Sequence, residues 1–201
     1  MIRTVISDLG KVVLWFDNEI FYRKMTAWCP LSEEKIREVV HRSAEFIELF
    51  DSGKITPQEF YSRAIAKLNA QISYDDFFAA YCDVFSTNPP VLNLLRSLKG
   101  KYQLVLLSNT DIARFTFIKK KFPEILFFDD YVLSYEVGFM KPHPEIYREA
   151  LRKAGVEAAE CVFIDDMEEN IKGAEALGLK GILYKPDTDL EKGLRALGLS
   201  F

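Results

Sequence analysis

The sequence predicts an α/β protein with a doubly wound, Rossmann-like parallel sheet and an inserted all-helical cap. Short apolar segments recur along the chain and are continuous rather than alternating, as in strands that are buried on both faces. Segments of helix length lie between them, which predicts right-handed βαβ units. Residues 16–88 interrupt this rhythm with an aromatic-rich, helix-like block.

The apolar segments define the predicted strands, and proline and glycine define the helices between them. The predicted strands are residues 2–7, 103–107, 131–133, 161–164 and 181–184. Predicted helices cover the segment from Pro89 to Gly100, residues 144–154 and residues 168–177. Proline favours the first turn of a helix and glycine the position after its end, so these boundaries have a physical basis.

The block at 16–88 contains helix start signals and no convincing strand. Ser32 is a predicted N-cap, and Thr56 with Glu59 forms a predicted capping box that has Pro57 at the first helical position. Residues 74–85 are a third predicted helix. We therefore predict a core domain of residues 1–15 and 89–201, with residues 16–88 as a helical cap.

Composition excludes several classes of function. The chain has 201 residues, 49% of them hydrophobic, which suffices for a sizeable core. The formal net charge is −4 and no long basic cluster is present, so a nucleic-acid partner is not expected. No apolar run has membrane-span length and no signal-peptide layout is seen. Three cysteines without a C-x-x-C pair indicate reduced thiols and a cytoplasmic protein. We expect either a monomer or a small homo-oligomer.

Polar side chains follow four of the predicted elements. Asp8 follows the first strand, Ser108 and Asn109 the second, Lys141 the loop after the third, and the pair 165–166 the fourth. The carboxyl ends of parallel strands surround the binding crevice of an open sheet. We therefore expect these groups to converge although they are far apart in sequence.

This set of groups suits phosphoryl transfer. A carboxylate such as Asp8 can attack phosphorus and form an aspartyl-phosphate. Carboxylates from two strands can bind Mg²⁺, which prefers oxygen ligands. Ser108, Asn109, Lys141 and backbone N–H groups can hold the remaining phosphate oxygens.

The same stretches resemble the haloacid dehalogenase superfamily of hydrolases over essentially the whole chain. The resemblance rests on D-L-G-K-V at 8–12, the S-N pair at 108–109, "GFMKPHPEIYREAL" from 138 and "FIDDMEENIKGAEALG" from 163. These segments occur in the family's order around a helical insertion. Within the superfamily they look most like small phosphatases that act on α-glucose 1-phosphate and similar sugar phosphates.

The resemblance implies a role for each residue. Asp8 is expected to be the nucleophile and a metal ligand. The expected metal ligands, in addition to Asp8, are the main-chain carbonyl of Gly10, Asp166, and Asp165 either directly or through water. The expected phosphate-binding residues are Leu9, Gly10, Ser108, Asn109 and Lys141. The substrate is then a small phosphorylated metabolite, and the cofactor is Mg²⁺.

Gly10 departs from the family pattern. Most phosphatases of the superfamily have aspartate there, which protonates the leaving oxygen and then deprotonates the attacking water. Such acid–base help is worth about 10²–10⁴ in rate. Three outcomes follow: a slow enzyme, a substrate whose leaving group needs little protonation, such as a sugar 1-phosphate, or a substitute group. Asp17, nearby in sequence, is the candidate substitute.

Two alternatives stay open at this point. A 2-haloacid dehalogenase also lacks the second aspartate, but the paired carboxylates at 165–166 favour metal and phosphate. A protein that kept the fold and lost turnover at Gly10 would bind phosphate or a partner without catalysis. The retention of Asp8, Lys141 and Asp166 argues against this, because a binder needs no nucleophile.

Overall fold

The computed structural model describes residues 1–41 and 44–201. Its strands are β1 (Thr4–Ser7), β2 (Leu14–Phe16), β3 (Phe85–Thr87), β4 (Gln103–Ser108), β5 (Asp130–Leu133), β6 (Cys161–Asp165) and β7 (Lys180–Leu183). Its helices are α1 (Glu19–Met25), α2 (Glu33–Val40), α3 (Ala44–Asp51), α4 (Pro57–Leu68), α5 (Tyr74–Cys82), α6 (Pro89–Leu98), α7 (Ile112–Lys121), α8 (Ser134–Val137), α9 (Pro144–Ala154), α10 (Glu168–Glu175) and α11 (Leu190–Ala196). No helix in these ranges has both the length and the apolar character needed to cross a membrane.

Five strands form a parallel sheet in the order β5-β4-β1-β6-β7. Strand β1 lies at the centre, where Val5 pairs with Leu104 of β4 and with Val162 of β6. All four residues of β1 are buried, and its first three, Thr4 to Ile6, are the β-branched residues that suit a strand covered on both faces. The predicted α/β fold with a doubly wound parallel sheet is confirmed.

Alternate residues of each strand pack into different layers. Val5 faces a core formed with helices α6, α7 and α11, whereas Ile6 faces a second core formed with α9 and α10. Successive side chains of a strand point to opposite faces, so a sheet covered by helices on both faces needs apolar residues at every position. This arrangement places the carboxyl ends of β1, β4 and β6 side by side.

Helices α1–α5 form the inserted cap around a separate aromatic core. The predicted N-cap at Ser32 accepts a hydrogen bond from the Lys35 N–H group. The predicted capping box is present, with Thr56 and Glu59 exchanging hydrogen bonds at the start of α4. Phe50 and Phe60 stack with ring centroids 4.3 Å apart, which joins α3 to α4.

The structure differs from the sequence prediction at the two ends of the cap. We expected no strand within residues 16–88, but Phe85–Thr87 forms β3, antiparallel to β2. Leu14 pairs with Thr87 and Phe16 with Phe85. A three-residue strand is too short to produce a periodic pattern, so the sequence gives no sign of it. This two-stranded sheet joins the segment that enters the cap to the segment that leaves it; the exact domain boundaries stay a prediction.

A buried polar cluster connects the cap to the core. Arg114 of α7 donates hydrogen bonds to Asn18 Oδ1 (2.9 Å) and to His41 Nε2 (3.2 Å), and its guanidinium lies 4.1 Å from the centre of the Tyr81 ring. Tyr81 donates in turn to Asp111 Oδ2 (3.0 Å). Burial, aided by the charge of Arg114, lowers the pKa of His41 to about 3, so this imidazole is neutral at neutral pH.

Candidate active site

Most of the predicted site residues, though not Asp17, come together at the carboxyl ends of three neighbouring strands. Asp8 directly follows β1, Ser108 ends β4 and Asp165 ends β6. Lys141 lies in the loop between α8 and α9, and Asp166 follows Asp165 at the start of the α10 connection. The parallel topology therefore gathers groups that are more than a hundred residues apart in sequence.

Lys141 joins two of the carboxylates. Its Nζ atom lies 2.6 Å from Asp8 Oδ1 and 2.7 Å from Asp165 Oδ2, and it also donates to the Leu107 carbonyl at 3.1 Å. The exposed fractions of the three charged side chains are 2% for Lys141, 10% for Asp8 and 0% for Asp165. A buried ammonium with three acceptors has all its N–H groups satisfied, so its position is fixed.

The charges in this group shift one another's ionisation. Burial raises the pKa of Asp8 to about 7; the Lys141 ammonium opposes this rise and the Asp165 carboxylate adds to it. Burial alone would lower the pKa of Lys141, but the charges of Asp8 and Asp165 raise it above its ordinary value. Lys141 is therefore a permanent cation beside the oxygen atoms of Asp8.

Asp165 and Asp166 differ in how many of their oxygen atoms are already engaged. Asp165 Oδ1 accepts from the Met167 N–H (2.8 Å) and from Asn170 Nδ2 (2.9 Å), while its Oδ2 faces Lys141. Asp166 is half-buried, and among the described residues its carboxylate pairs with Lys11, with Nζ 4.0 Å from Oδ2, while Lys185 donates to its main-chain carbonyl. Of the two carboxylates, Asp166 has the freer oxygen atoms.

The carboxylates fit a hard divalent cation. Asp8, Asp165 and Asp166 each offer one oxygen atom, and these atoms all lie within 4.8 Å of one another. Such a set of oxygen donors is typical of Mg²⁺ sites, which use one or two carboxylates together with substrate oxygens and water. The donor set therefore matches the predicted metal in chemical type, and the assignment of individual ligands stays a prediction.

The two polar residues after β4 have different surroundings. Asn109 Nδ2 donates to the Lys141 carbonyl at 3.0 Å, and Asn109 Oδ1 accepts from the Lys141 N–H at 2.7 Å. Both ends of this amide thus hold the backbone that carries Lys141. Ser108 is 3% exposed, and within the described part of the chain its hydroxyl makes only one long contact, 3.5 Å, to the Asn109 carbonyl. Ser108 therefore keeps a hydroxyl that is nearly free for a ligand.

Gly10 lies against an aromatic ring. A Cβ atom at this position would be 3.0 Å from Cε1 of Phe16. Asp17, the candidate substitute, is exposed, and its Oδ1 accepts a hydrogen bond from the Glu19 N–H at 2.9 Å. Within the described residues, no hydrogen bond or ion pair joins Asp17 to Asp8. Its substitute role stays a prediction.

Sequence reasoning missed two neighbours of the carboxylates. Asn170 is 3% exposed and orients Asp165, and its own carbonyl accepts from the Tyr147 hydroxyl at 2.8 Å. Lys11 has a positive φ of 56° and places its ammonium 4.0 Å from the Asp166 carboxylate. The only sequence signal was the position of Asn170 five residues after Asp165, within a segment already assigned to the site.

Comparison with known proteins identifies the family. A family model described as haloacid dehalogenase-like hydrolase matches residues 3–178. The chain belongs to the haloacid dehalogenase-like hydrolases. The family predicted from the sequence motifs is thereby confirmed.

Individual relatives of this haloacid dehalogenase-like hydrolase include a phosphatase and an enzyme solved with magnesium and phosphate. It is 24% identical over 187 residues to a D-ribitol-5-phosphate phosphatase of Bacteroides thetaiotaomicron, with 90% of each chain covered. It is 27% identical to a HAD family enzyme of the same organism, solved in complex with magnesium and inorganic phosphate, with a TM-score of 0.79 over 97% of this chain and 100% of that one.

A further relative is a larger protein. The chain is 24% identical over 200 residues to drimenol cyclase drtB of Aspergillus calidoustus. This alignment covers 96% of the chain but 36% of the cyclase. The haloacid dehalogenase-like hydrolase thus spans about a third of the length of that relative.

Proposed function

We propose that the protein hydrolyses phosphomonoesters of small metabolites, with Asp8 as the nucleophile and sugar phosphates as the substrate class. It is a phosphatase of the haloacid dehalogenase-like family, and its cofactor is Mg²⁺. The observation that carries the proposal is the position of Lys141 against Asp8, with a cluster of carboxylates suited to a divalent cation beside it.

The surroundings of Asp8 suit attack on phosphorus. Lys141 is held by Asp165, Leu107 and the Asn109 amide, so its positive charge stays next to Asp8 as the substrate arrives. That charge reduces the repulsion between an anionic carboxylate and an anionic phosphoryl group. Asp8 then forms a bond to phosphorus, the alcohol oxygen leaves, and water releases phosphate from the aspartyl-phosphate.

In the proposal, Mg²⁺ binds to the clustered carboxylates of Asp8, Asp165 and Asp166 and to the main-chain carbonyl of Gly10. Asp8 and Asp166 are the principal carboxylate ligands in the proposal, because the oxygens of Asp165 are largely committed to Lys141, Met167 and Asn170. When bound, Mg²⁺ supplies positive charge that neutralises the phosphoryl oxygens and orients the ester for in-line attack. Ser108 and the backbone after Asp8 are proposed to hold the remaining phosphoryl oxygens.

The glycine at position 10 favours substrates with a good leaving group. Without a carboxylate there, the leaving oxygen receives no proton from the usual side chain. An anomeric hydroxyl is more acidic than an ordinary alcohol, so a sugar 1-phosphate loses less rate than a primary alkyl phosphate. Glucose 1-phosphate is therefore the first substrate to test.

The test compares the wild type with Asp8→Asn on an aryl phosphate and on glucose 1-phosphate, with Mg²⁺ and with a chelator. We expect metal-dependent phosphate release by the wild type and a loss of at least about 10³-fold in Asp8→Asn, because the amide cannot attack phosphorus. Lys120→Met, an exposed lysine on α7, serves as the control variant.

Other outcomes would identify the alternatives. Metal-independent halide release from a 2-haloacid would indicate a dehalogenase. Phosphate binding by the wild type without turnover of any substrate in a panel of phosphorylated metabolites would indicate a catalytically impaired binding protein. Equal turnover by wild type and Asp8→Asn would remove Asp8 from the mechanism.

A further inference from the structure

A wide cleft lies between the cap and the loop that carries Lys141. It has a volume of about 910 Å³ and is lined by helices α3 and α4, by the turn between them and by residues 138–143. Ligand sites for small molecules typically have volumes of about 300–1,000 Å³. Of the proposed site residues, only Lys141 is among the described lining of this cleft, and its ammonium contacts Asp8, so Lys141 links the cleft to the proposed phosphoryl site. We refer to it as the cap cleft.

The cap cleft has an excess of positive charge. Besides Lys141, three cationic residues line it: Lys54 in the turn, and Arg63 and Lys67 one helical turn apart on α4. Glu48 is the single acidic residue among its described lining. Like charges four residues apart on a helix repel one another, which is unfavourable by a few tenths of a kcal/mol. A cluster of this kind favours an anionic ligand.

None of these three cations forms an ion pair with a described side chain, although Arg63 interacts electrostatically with Glu59 one turn earlier on α4. Among the side chains described for residues 1–41 and 46–201, no carboxylate oxygen lies within 4.0 Å of their charged atoms. Glu59, one turn before Arg63, is engaged in the capping box, where its Oε2 accepts from the Thr56 N–H and hydroxyl groups. The positive charge therefore stays available to a ligand in the cleft.

The cleft also offers an apolar surface. Phe46 is 2% exposed and supports Lys67, whose Nζ lies 5.6 Å from the ring centre. On the opposite wall, Phe139 is 41% exposed and stacks on His143 with ring centroids 4.3 Å apart. A largely exposed aromatic residue at the rim of a cleft is suited to contact a carbon skeleton.

We propose that the cap cleft binds the part of the substrate that is not transferred, and that this part carries a second anionic group, a carboxylate or a second phosphate, on a partly apolar skeleton. The proposal rests on the proposed phosphatase function and narrows its substrate class. The transferred phosphoryl group lies at Asp8 and Lys141, and the second anion lies against Lys54, Arg63 and Lys67. A neutral sugar monophosphate leaves these cations without a partner.

The experiment compares substrates that differ only in the second charge. One pair is phenyl phosphate and 3-carboxyphenyl phosphate, and the other is glucose 1-phosphate and glucose 1,6-bisphosphate. We expect kcat/KM to be at least about tenfold higher for the member with the extra anion, since a charge-assisted hydrogen bond contributes on the order of tenfold in binding. The two pairs distinguish a carboxylate from a phosphate as the preferred second group.

Variants locate the effect in the cleft. In Arg63→Met/Lys67→Met the preference within each pair should fall about tenfold, whereas Lys120→Met on α7 should keep it. Circular dichroism and the melting temperature confirm that the variants are folded. An unchanged preference in the double variant, or a wild-type preference for the less charged member of both pairs, would overturn the proposal.

A binding measurement separates this proposal from the proposed function. Calorimetry with Asp8→Asn and the same two pairs gives the affinity ratio without turnover. One outcome is that the wild type hydrolyses no substrate, while Asp8→Asn binds the more charged member of each pair more tightly and loses this preference when Arg63→Met/Lys67→Met is added. The cap cleft then binds a second anion, as proposed, and the proposed phosphatase function fails. If hydrolysis is present and the affinity ratio is near one, the catalytic assignment stands and the cleft assignment fails.

Discussion

Gly10 is the position where a single side chain should change the chemistry most. Gly10→Asp places a carboxylate two residues after the proposed nucleophile, where most phosphatases of the family carry their acid–base group. The backbone of Gly10 is outside the left-handed region, so it accepts a side chain without φ strain. The obstacle is steric, because the new Cβ would lie 3.0 Å from Cε1 and 3.5 Å from Cδ1 of Phe16.

The size of the effect follows from two opposing contributions. General acid–base catalysis is worth about 10²–10⁴ in rate, or roughly 3–5 kcal/mol of transition-state free energy. Phe16 must first move by a few tenths of an ångström away from a ring contact with Phe85, whose centroid is 6.1 Å away. We therefore expect a small gain for Gly10→Asp alone and about 10² or more for Gly10→Asp/Phe16→Val on an alkyl phosphate.

The assay uses leaving groups of different acidity. In Gly10→Asp/Phe16→Val, the rate of hydrolysis of an aryl phosphate should change little, because phenolate leaves without protonation. The rate of hydrolysis of an alkyl phosphate should rise by about 10² or more. Gly10→Asn/Phe16→Val is the matched control, since it has nearly the same size and cannot transfer a proton. If the Asp and Asn variants hydrolyse the alkyl phosphate equally fast with Mg²⁺ present, position 10 is not the missing acid–base site.

Three further predictions concern stability. Lys141→Met should lower the free energy of unfolding by about 3–5 kcal/mol at neutral pH, because it leaves two buried carboxylates unpaired, and Lys141→Met/Asp165→Asn should recover part of that loss in urea titrations. Burial lowers the pKa of His41 to about 3, so the neutral imidazole stabilises the fold fully above about pH 6.5, and this stabilisation is lost as the pH falls toward 3. Between pH 7 and pH 5, the free energy of unfolding should therefore drop by about 2 kcal/mol less in His41→Gln than in the wild type. An equal drop in the two proteins would show that His41 is not a buried neutral imidazole. Gly53→Ala should lower the melting temperature more than Gly100→Ala, because both have positive φ but only the Gly53 Cβ would meet a backbone atom, the Tyr135 carbonyl oxygen at 2.2 Å; equal shifts would show that this contact relaxes freely.

The sequence was most informative where structure depends on local pattern. The buried strand that delivers Asp8, the capping box at Thr56 and helix α9 from Pro144 to Ala154 follow from hydrophobic periodicity and capping chemistry alone. The convergence of Asp8, Lys141 and Asp165 could also be predicted, because parallel strands place their carboxyl ends at one edge.

Features that depend on contacts between distant segments could not be predicted. Strand β3 exists because its three residues pair with β2, and nothing in those residues alone favours a strand. The contact between Arg114 and His41 spans 73 residues and joins helix α7 to the end of helix α2. The sequence pattern of neither helix indicates the other as its partner. The same holds for the cap cleft, since Lys67 and Phe139 are brought to one surface only by the docking of the cap.

The stereochemical course at phosphorus tests the central claim, attack by Asp8 through a covalent intermediate, most directly. An aryl phosphorothioate made chiral with oxygen isotopes is hydrolysed in isotopically labelled water, and the configuration of the thiophosphate product is determined. Two successive in-line displacements, first by Asp8 and then by water, predict retention of configuration. Inversion would mean a single direct attack by water and would contradict the account.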